Sequence, residues 1–294
     1  MRKLGAHLSI AGGYWKAVEE AKALGCKSLQ IFLKNARSWG RKTLKEEEVT
    51  AFFDSLKNSG IEINITHSSY LINLASKDEK LYEKSILSLM EELSIARKLR
   101  IPYYVLHLKS GGNGKEEDLF RIARALNFLL WDLEDIMILL ETSSSPRAVG
   151  SKIEDFARLF ELLEKEEKVG ICLDSCHLWA AGYDLTSPKG FKSLLRELEH
   201  LVGLKKVKLI HLNDAKDECG SGRDRHEHIG RGRMGLLPFK LFLQEESFKD
   251  LPFIIETPKG KTPDGKDFDE INLAILRSLE EKDADKDLIK EYLP

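Results

Sequence analysis

The chain has 294 residues, 42% of them hydrophobic and 32% charged, with a formal net charge of −2 at pH 7. This is the composition of a soluble globular protein with ample core, and the bulk charge does not mark a nucleic-acid binder. The four cysteines (Cys26, Cys172, Cys176, Cys219) form no CxxC pair, which excludes a disulfide framework and points to a reducing, cytoplasmic setting. No apolar run reaches membrane-spanning length, and Met1 leads straight into a strand-like segment with no signal peptide or anchor.

In chain order, eight short apolar runs read as strands: Lys3–Leu8, Ser28–Leu33, Glu62–Thr66, Tyr103–Leu108, Ile136–Leu140, Val169–Leu173, Val207–Leu212 and Phe253–Ile255. Eight helical stretches alternate with them. In one, Tyr82, Ile86, Leu89, Leu93 and Ala96 step by four and three, as one helix face does. Lys- and Glu-rich tracts such as EKEEK read as solvated helix faces and hint at a heat-tolerant source. No linker, repeat or low-complexity tract divides the chain, so residues 1–294 are read as a single α/β domain, a (β/α)₈ TIM barrel, with a charged tail over about 283–294. A doubly wound open sheet competes, but no GxGxxG follows the first strand.

A barrel of this kind carries its chemistry just beyond the C-terminal ends of the strands. Those positions hold His67, His107, Glu141, Asp174, His211 and Glu256, with His177 three residues past Asp174. Before the last strand, Asp224 and His226 stand two apart, so that an extended segment aims both side chains the same way. Each residue alone is more readily structural. Asp174 could simply cap the next helix, and His177 could be a satisfied surface histidine. Five of the chain's eight histidines in one register, joined by four carboxylates, favour a metal site.

Imidazole and carboxylate donors without thiolate suit Zn²⁺, and Mn²⁺ or Fe²⁺ fit the same set. Nine donors exceed the needs of one ion. With one bridging carboxylate they match two or three, an arrangement suited to phosphoester hydrolysis. Three divalent ions would carry the net charge from −2 to about +4 and so attract an anionic partner. Two basic loops flank this face. One holds Lys34, Asn35, Arg37, Arg41 and Lys42 with Trp39 between them, and the other holds Arg223, Arg225, Arg231 and Arg233. Both point to a phosphate backbone. Tyr70 and Leu71 follow a candidate ligand histidine; from the residues alone, packing under the loop is preferred over a wedge into a base stack.

The segments GAHLSIAGG, FLKNARSW, HSSYLINLAS, LDSCHLWAAGYDL, HLNDAK, DRHEHIGRG and IIETP run almost the length of the chain. Through them it resembles the endonuclease IV family of apurinic/apyrimidinic (AP) endonucleases. The resemblance implies a zinc-dependent barrel hydrolase that acts on abasic sites in duplex DNA, with three zinc ions per chain. His67, His107 and Glu141 would hold one ion. Glu141 would bridge to a second, shared with Asp174, His211 and Glu256, and His177, Asp224 and His226 would hold the third. Glu141 would assist hydrolysis 5′ to the lesion, leaving a 3′-hydroxyl and a 5′-deoxyribose phosphate. Arg37, Tyr70 and Leu71 would enter the minor groove while the abasic nucleotide flips into the pocket. Lys34, Asn35 and Arg225 are further candidate DNA contacts. The resemblance also implies trimming of 3′-blocking groups, a monomer and no protein partner.

Two stretches depart from the family pattern. HLKSGG stands where roughly HPGSH is expected, and TSSSPR replaces an Asn-Thr start after Glu141. All nine donors remain, so the departures bear on lesion preference and on the groups behind the ligands. His7 is read with equal weight as a neighbour of the site and as structural. The competing reading, a metal-dependent sugar isomerase or epimerase, has no use for a third donor group or for the basic loops. A binding-only relative would lack the bridging glutamate.

Overall fold

The apolar runs form strands, and their order along the chain is their order around a closed barrel. The structure, a computed structural model, describes residues 1–280. The barrel strands are β1 (Lys3–Leu8), β2 (Ser28–Phe32), β3 (Ile63–His67), β4 (Tyr103–His107), β5 (Met137–Glu141), β6 (Val169–Asp174), β7 (Val207–His211) and β10 (Pro252–Ile255). Every neighbouring pair is parallel, and β10 returns to β1. Between β7 and β10, β8 (Asp214–Ala215) and β9 (His226–Glu227) make a small antiparallel ribbon.

The helices are α1 (Tyr14–Ala23), α2 (Glu46–Leu56), α3 (Glu79–Lys98), α4 (Lys115–Leu130), α5 (Ile153–Leu162), α6 (Ser175–Ala180), α7 (Pro188–Leu201), α8 (Leu237–Gln244) and α9 (Phe268–Glu280). Sequence periodicity accounts for eight helical stretches. The ninth among the described residues, α6, is too short to show a period. β3, β5 and β6 run one residue further than expected, because ladder pairing continues past the apolar run onto His67, Glu141 and Asp174, while β2, β4 and β7 end one residue sooner. The expected charged tail lies outside the described residues. None of the described helices is long and apolar enough to cross a membrane.

Strand pleating sorts the core into two bodies. In β5, Ile138 and Leu140 join the large cluster under the helices, while Leu139 turns inward. The inward cluster takes one residue from each of six strands: Ile65, Val105, Leu139, Cys172, Leu209 and Ile254, all fully buried. These side chains fill the barrel rather than lining a channel. On β1 and β2 the corresponding inward positions are Gly5 and Ser28, and a Cβ on Gly5 would fall 1.9 Å from the Ser28 carbonyl oxygen.

Candidate metal centre

Two residues beyond each plug residue, the same strand face carries a polar side chain. Ile65 leads to His67, Val105 to His107, Leu139 to Glu141, Cys172 to Asp174, Leu209 to His211 and Ile254 to Glu256. By the same parity Gly5 leads to His7 and Ser28 to Gln30. One inward polar residue per strand thus forms a ring directly on top of the apolar plug. Two devices add the remaining donors. Asp174 caps α6, its Oδ1 accepting from the His177 backbone N–H at 2.8 Å, which turns His177 into the barrel. The ribbon pairs Ala215 with His226 and so folds Asp224 and His226 over the ring. The Asp214 carboxylate fixes that loop by accepting from the N–H groups of Gly230, Gly232 and Met234. Asp174 therefore does cap a helix, but His177 is fully buried rather than a surface residue.

Donor atoms of Glu141, Asp174, His211 and Glu256 lie within 4.8 Å of one another, as do those of His107, Glu141 and His177, and those of Asp174, His177 and His226. His67 Nε2 stands 3.2 Å from Glu141 Oε2, and Asp224 Oδ1 stands 3.1 Å from both His177 Nε2 and His226 Nε2. Glu141 is shared by the first two groups, and its two oxygens face His211 and His67.

The outer nitrogens decide what this cluster suits. His67 Nδ1 donates to the Ser68 carbonyl at 2.8 Å, His177 Nδ1 to the Thr142 carbonyl at 2.8 Å and His226 Nδ1 to the Glu256 carbonyl at 3.2 Å. His211 Nε2 donates to Gln30 Oε1 at 2.9 Å. Each ring is thereby locked with its other nitrogen turned toward the carboxylates. His177 Nε2 and His226 Nε2 face the Asp224 carboxylate at 3.1 Å, and His107 Nδ1 is buried without a hydrogen-bond partner. Imidazole nitrogens set among buried carboxylates fit divalent cations, and the outer partners of His67, His177, His211 and His226 are of the kind that orients imidazole ligands. The described residues therefore hold clusters of His, Asp and Glu able to bind metal.

Without a cation the histidines substitute protons. Burial lowers the His67 pKa, but the Glu141 carboxylate outweighs it and carries the group up to about 9. His226 is likewise disfavoured by burial yet raised to about 9 by Asp174 and Asp224. Burial also opposes charge on His177 and His211, and the surrounding carboxylates raise both. Glu141 resists its own desolvation and stays well below the usual carboxylate range through His211 and His67. His107 and His7 go the other way, since burial dominates there.

Above the ring opens a cavity of about 670 Å³, lined by His7, Phe32, Glu141 and Asp224 among others, with Arg37 and Tyr70 at its rim. Tyr70 is 52% exposed and rests edge-on against Phe32; it does not pack under its loop. Leu71 beside it is half-buried. Asn35 is exposed, and its Oδ1 accepts from the Arg37 backbone N–H. Arg225 is exposed but held by Asp217 through two short contacts of 2.6 and 2.5 Å. Lys34 corrects the sequence reading. It is not on the basic surface; its buried ammonium bonds Ser88 Oγ at 2.9 Å and pairs with Glu91 and Glu92, both at 3.6 Å.

A family model described as a xylose isomerase-like TIM barrel matches residues 18–279. The "Probable endonuclease 4" of Chloroflexus aurantiacus is 45% identical over 283 residues, covering 95% of this chain and 98% of that protein. The chain belongs to the endonuclease IV family. An "Apurinic-apyrimidinic endonuclease" of Caenorhabditis elegans is 35% identical over 90% of this chain and 68% of its own length. The crystal structure of endonuclease IV from Thermus thermophilus superposes with a TM-score of 0.82 at 36% identity, covering 94% of this chain and 98% of that one.

Within this endonuclease IV framework, the two departing loops acquire concrete roles. Lys109 of HLKSGG donates to the Tyr70 carbonyl, and Gly111 lies so near the Ala75 carbonyl that a Cβ would sit 1.6 Å from it. In TSSSPR, the Thr142 carbonyl receives His177 and its Oγ1 receives the Asp174 N–H at 2.9 Å. Three supporting residues escaped the sequence reading: Gln30, Asn213 and Thr142. Asn213 Nδ2 donates to Asp174 Oδ2 at 2.7 Å while its Oδ1 accepts from the Glu256 N–H at 2.7 Å. Gln30 had a readable signal, a lone amide at the inward parity of β2, between Leu29 and Ile31. The roles of Asn213 and Thr142 depend on loop geometry and had none.

Proposed function

We propose that this chain is a DNA repair endonuclease that hydrolyses the phosphodiester 5′ to abasic sites in duplex DNA, with three zinc ions per chain. The observation that carries this reading is the ring of strand-end donors around Glu141, its imidazole lone pairs turned inward. Relatives named endonuclease 4 and apurinic-apyrimidinic endonuclease support it. His67, His107 and Glu141 would hold one ion. Glu141, Asp174, His211 and Glu256 would hold the second, and His177, Asp224 and His226 the third. Mn²⁺ or Fe²⁺ would serve in part of the set.

When bound, the ions supply Lewis acidity, making water more acidic and offsetting charge on phosphate oxygens. The chain's own residues do the rest. Glu141, held ionised among the histidines, accepts a hydrogen from the attacking water and orients its oxygen toward phosphorus. The P–O3′ bond breaks, the water oxygen stays on the 5′-deoxyribose phosphate, and the 3′ oxygen takes up a proton to leave as a hydroxyl. Arg37 and Tyr70 at the rim, with Leu71, Asn35 and Arg225 beyond, hold the duplex while the abasic nucleotide occupies the cavity. Removal of 3′-blocking groups follows as a second use of the same site. A sugar isomerase would leave the His177–Asp224–His226 group without a role.

The test is a duplex with one tetrahydrofuran abasic analogue, incubated with zinc-loaded protein. One cut on the 5′ side, with a 3′ end that a polymerase extends, is expected. An intact duplex from fully metallated protein overturns the reading.

A further inference from the structure

The loop after β4 departs from the family pattern, and the departure brings in a lysine. Where roughly HPGSH is expected the chain reads HLKSG, so Lys109 stands at the glycine position. Its backbone is firmly placed. Asn73 Nδ2 donates to the Ser110 carbonyl at 3.1 Å and Asn113 Nδ2 to the Ala75 carbonyl at 2.9 Å, which ties this loop to the one that carries Tyr70. Lys109 Nζ adds a third tie by donating to the Tyr70 carbonyl.

What the ammonium lacks is a counter-charge. Lys109 is half-buried, it makes no ion pair among the described residues, and the burial of its charge goes unopposed. Other cations of this face are neutralised: Arg225 faces Asp217, Arg233 faces Glu218 and Lys259 faces Asp269. Asp118, which staples the Lys109 loop, is buried and spends its oxygens on the Gly111 N–H at 2.8 Å and on Asn113 Nδ2 at 2.9 Å. A charge drawn partly out of water against one carbonyl is costly until an anion joins it.

We infer that Lys109 binds a backbone phosphate of the duplex, and that this phosphate is the missing counter-charge. The inference rests on the reading of this face as the one that meets DNA. Strand order sets the geometry. Arg37 follows β2, Tyr70 follows β3 and Lys109 follows β4, so the two cations stand on either side of the Tyr70 loop. An ammonium has three donors; the Tyr70 carbonyl takes one, and two remain for phosphate oxygens. Gripping the strand and placing Tyr70 thereby become one event.

The test is equilibrium binding of zinc-loaded protein, by fluorescence anisotropy across a range of salt. The probe is a labelled duplex with one tetrahydrofuran and a hydrolysis-resistant linkage 5′ to it. Each phosphate contact contributes about 0.9 to the slope of log affinity against log salt. Lys109→Gln keeps a donor for the Tyr70 carbonyl but carries no charge. It should weaken binding roughly tenfold at about 0.1 M salt and flatten the slope by about 0.9, and Lys109→Gly should do the same. Lys109→Arg keeps the charge and should keep the wild-type slope. Bound metal should match wild type in all three, which sets the effect apart from damage to the donor ring. A slope that does not depend on charge at position 109 overturns the inference and leaves Lys109 a tether of the Tyr70 loop. Cleavage of an ordinary abasic duplex is read separately, and protein that binds without cutting defeats the nuclease reading while the slopes still decide Lys109.

Discussion

Gln30 offers the sharpest test of how the donor ring is held. Its Oε1 accepts from His211 Nε2 at 2.9 Å, and its Nε2 donates to Glu256 Oε1 at 2.6 Å. One amide therefore fixes the tautomer of one candidate ligand and the orientation of another. Gln30→Met keeps the length and bulk but removes these bonds, and the 3.0 Å contact of Nε2 with His7 Nδ1, leaving the His211 Nε2–H buried without an acceptor. An orphaned buried donor costs about 1–3 kcal/mol. Loss of the partner behind a metal-binding imidazole lowers metal affinity by about 10–100-fold, or roughly 1.4–2.7 kcal/mol. The two estimates agree. The assay is metal content and nicking rate after equilibration against buffers of graded free zinc. The curve should move to higher free zinc by that factor, with the rate at saturation within a fewfold of wild type. A superimposable curve refutes the reasoning, as does a collapse in saturated rate at unchanged affinity, which would place Gln30 against the substrate.

Other outcomes follow from the same geometry. Glu141→Gln, which removes the carboxylate shared between His67 and His211, should lower nicking at least about 10³-fold; residual activity within tenfold of wild type, measured by single-turnover cleavage, would remove Glu141 from the centre of the site. Lys34→Met strands Glu92 in the core and should destabilise the fold by roughly 3 kcal/mol in urea. The salt dependence of duplex binding should stay as it was; a shallower slope would return Lys34 to the phosphate contacts. In metal-free protein, His67 and His226 have folded pKa values near 9 against an ordinary 6.5. Their protonated forms then stabilise the fold fully below pH 6.5, and that contribution is lost as pH rises through 9. Urea midpoints of chelator-stripped protein should fall between pH 6.5 and 9, and a rise over that interval would contradict the ring electrostatics. The zinc-loaded protein should lack this fall, since imidazoles bind metal neutral.

The barrel was legible because parallel strands buried on both faces leave continuous apolar runs, and four of them stop directly at His67, Glu141, Asp174 and Glu256. The stop is the site: Leu139 fills the barrel, and Glu141, two residues on, has no apolar layer left to join. That period of two made six donors readable, and the DxH spacing supplied two more. Lys34 misled because a lysine in a basic run usually faces water; nothing local announces that Glu92, 58 positions away, waits in the core beneath it. From the residues alone Tyr70 is expected to pack under its loop, and the structure leaves it exposed. The rigid ring rests its edge on Phe32 and keeps half its surface in solvent, an outcome set by the post-β2 loop, whose Ala36 carbonyl receives the Tyr70 N–H. Carbonyl partners such as those of Ser68 and Thr142 carry no side-chain identity, so a sequence cannot display them.

The apolar plug beneath the ring has a consequence for traffic. With Ile65, Val105, Leu139, Cys172, Leu209 and Ile254 sealing the barrel, the chamber among the described residues has no way through the barrel axis. Water, substrate and spent strand all pass through the rim where Arg37 and Tyr70 stand. A polymer cannot thread such a chamber from end to end. It can only lean against the opening and lend one unit at a time, and the next visit waits until that unit is withdrawn. On the proposed function, departure through that rim is a step of every turnover.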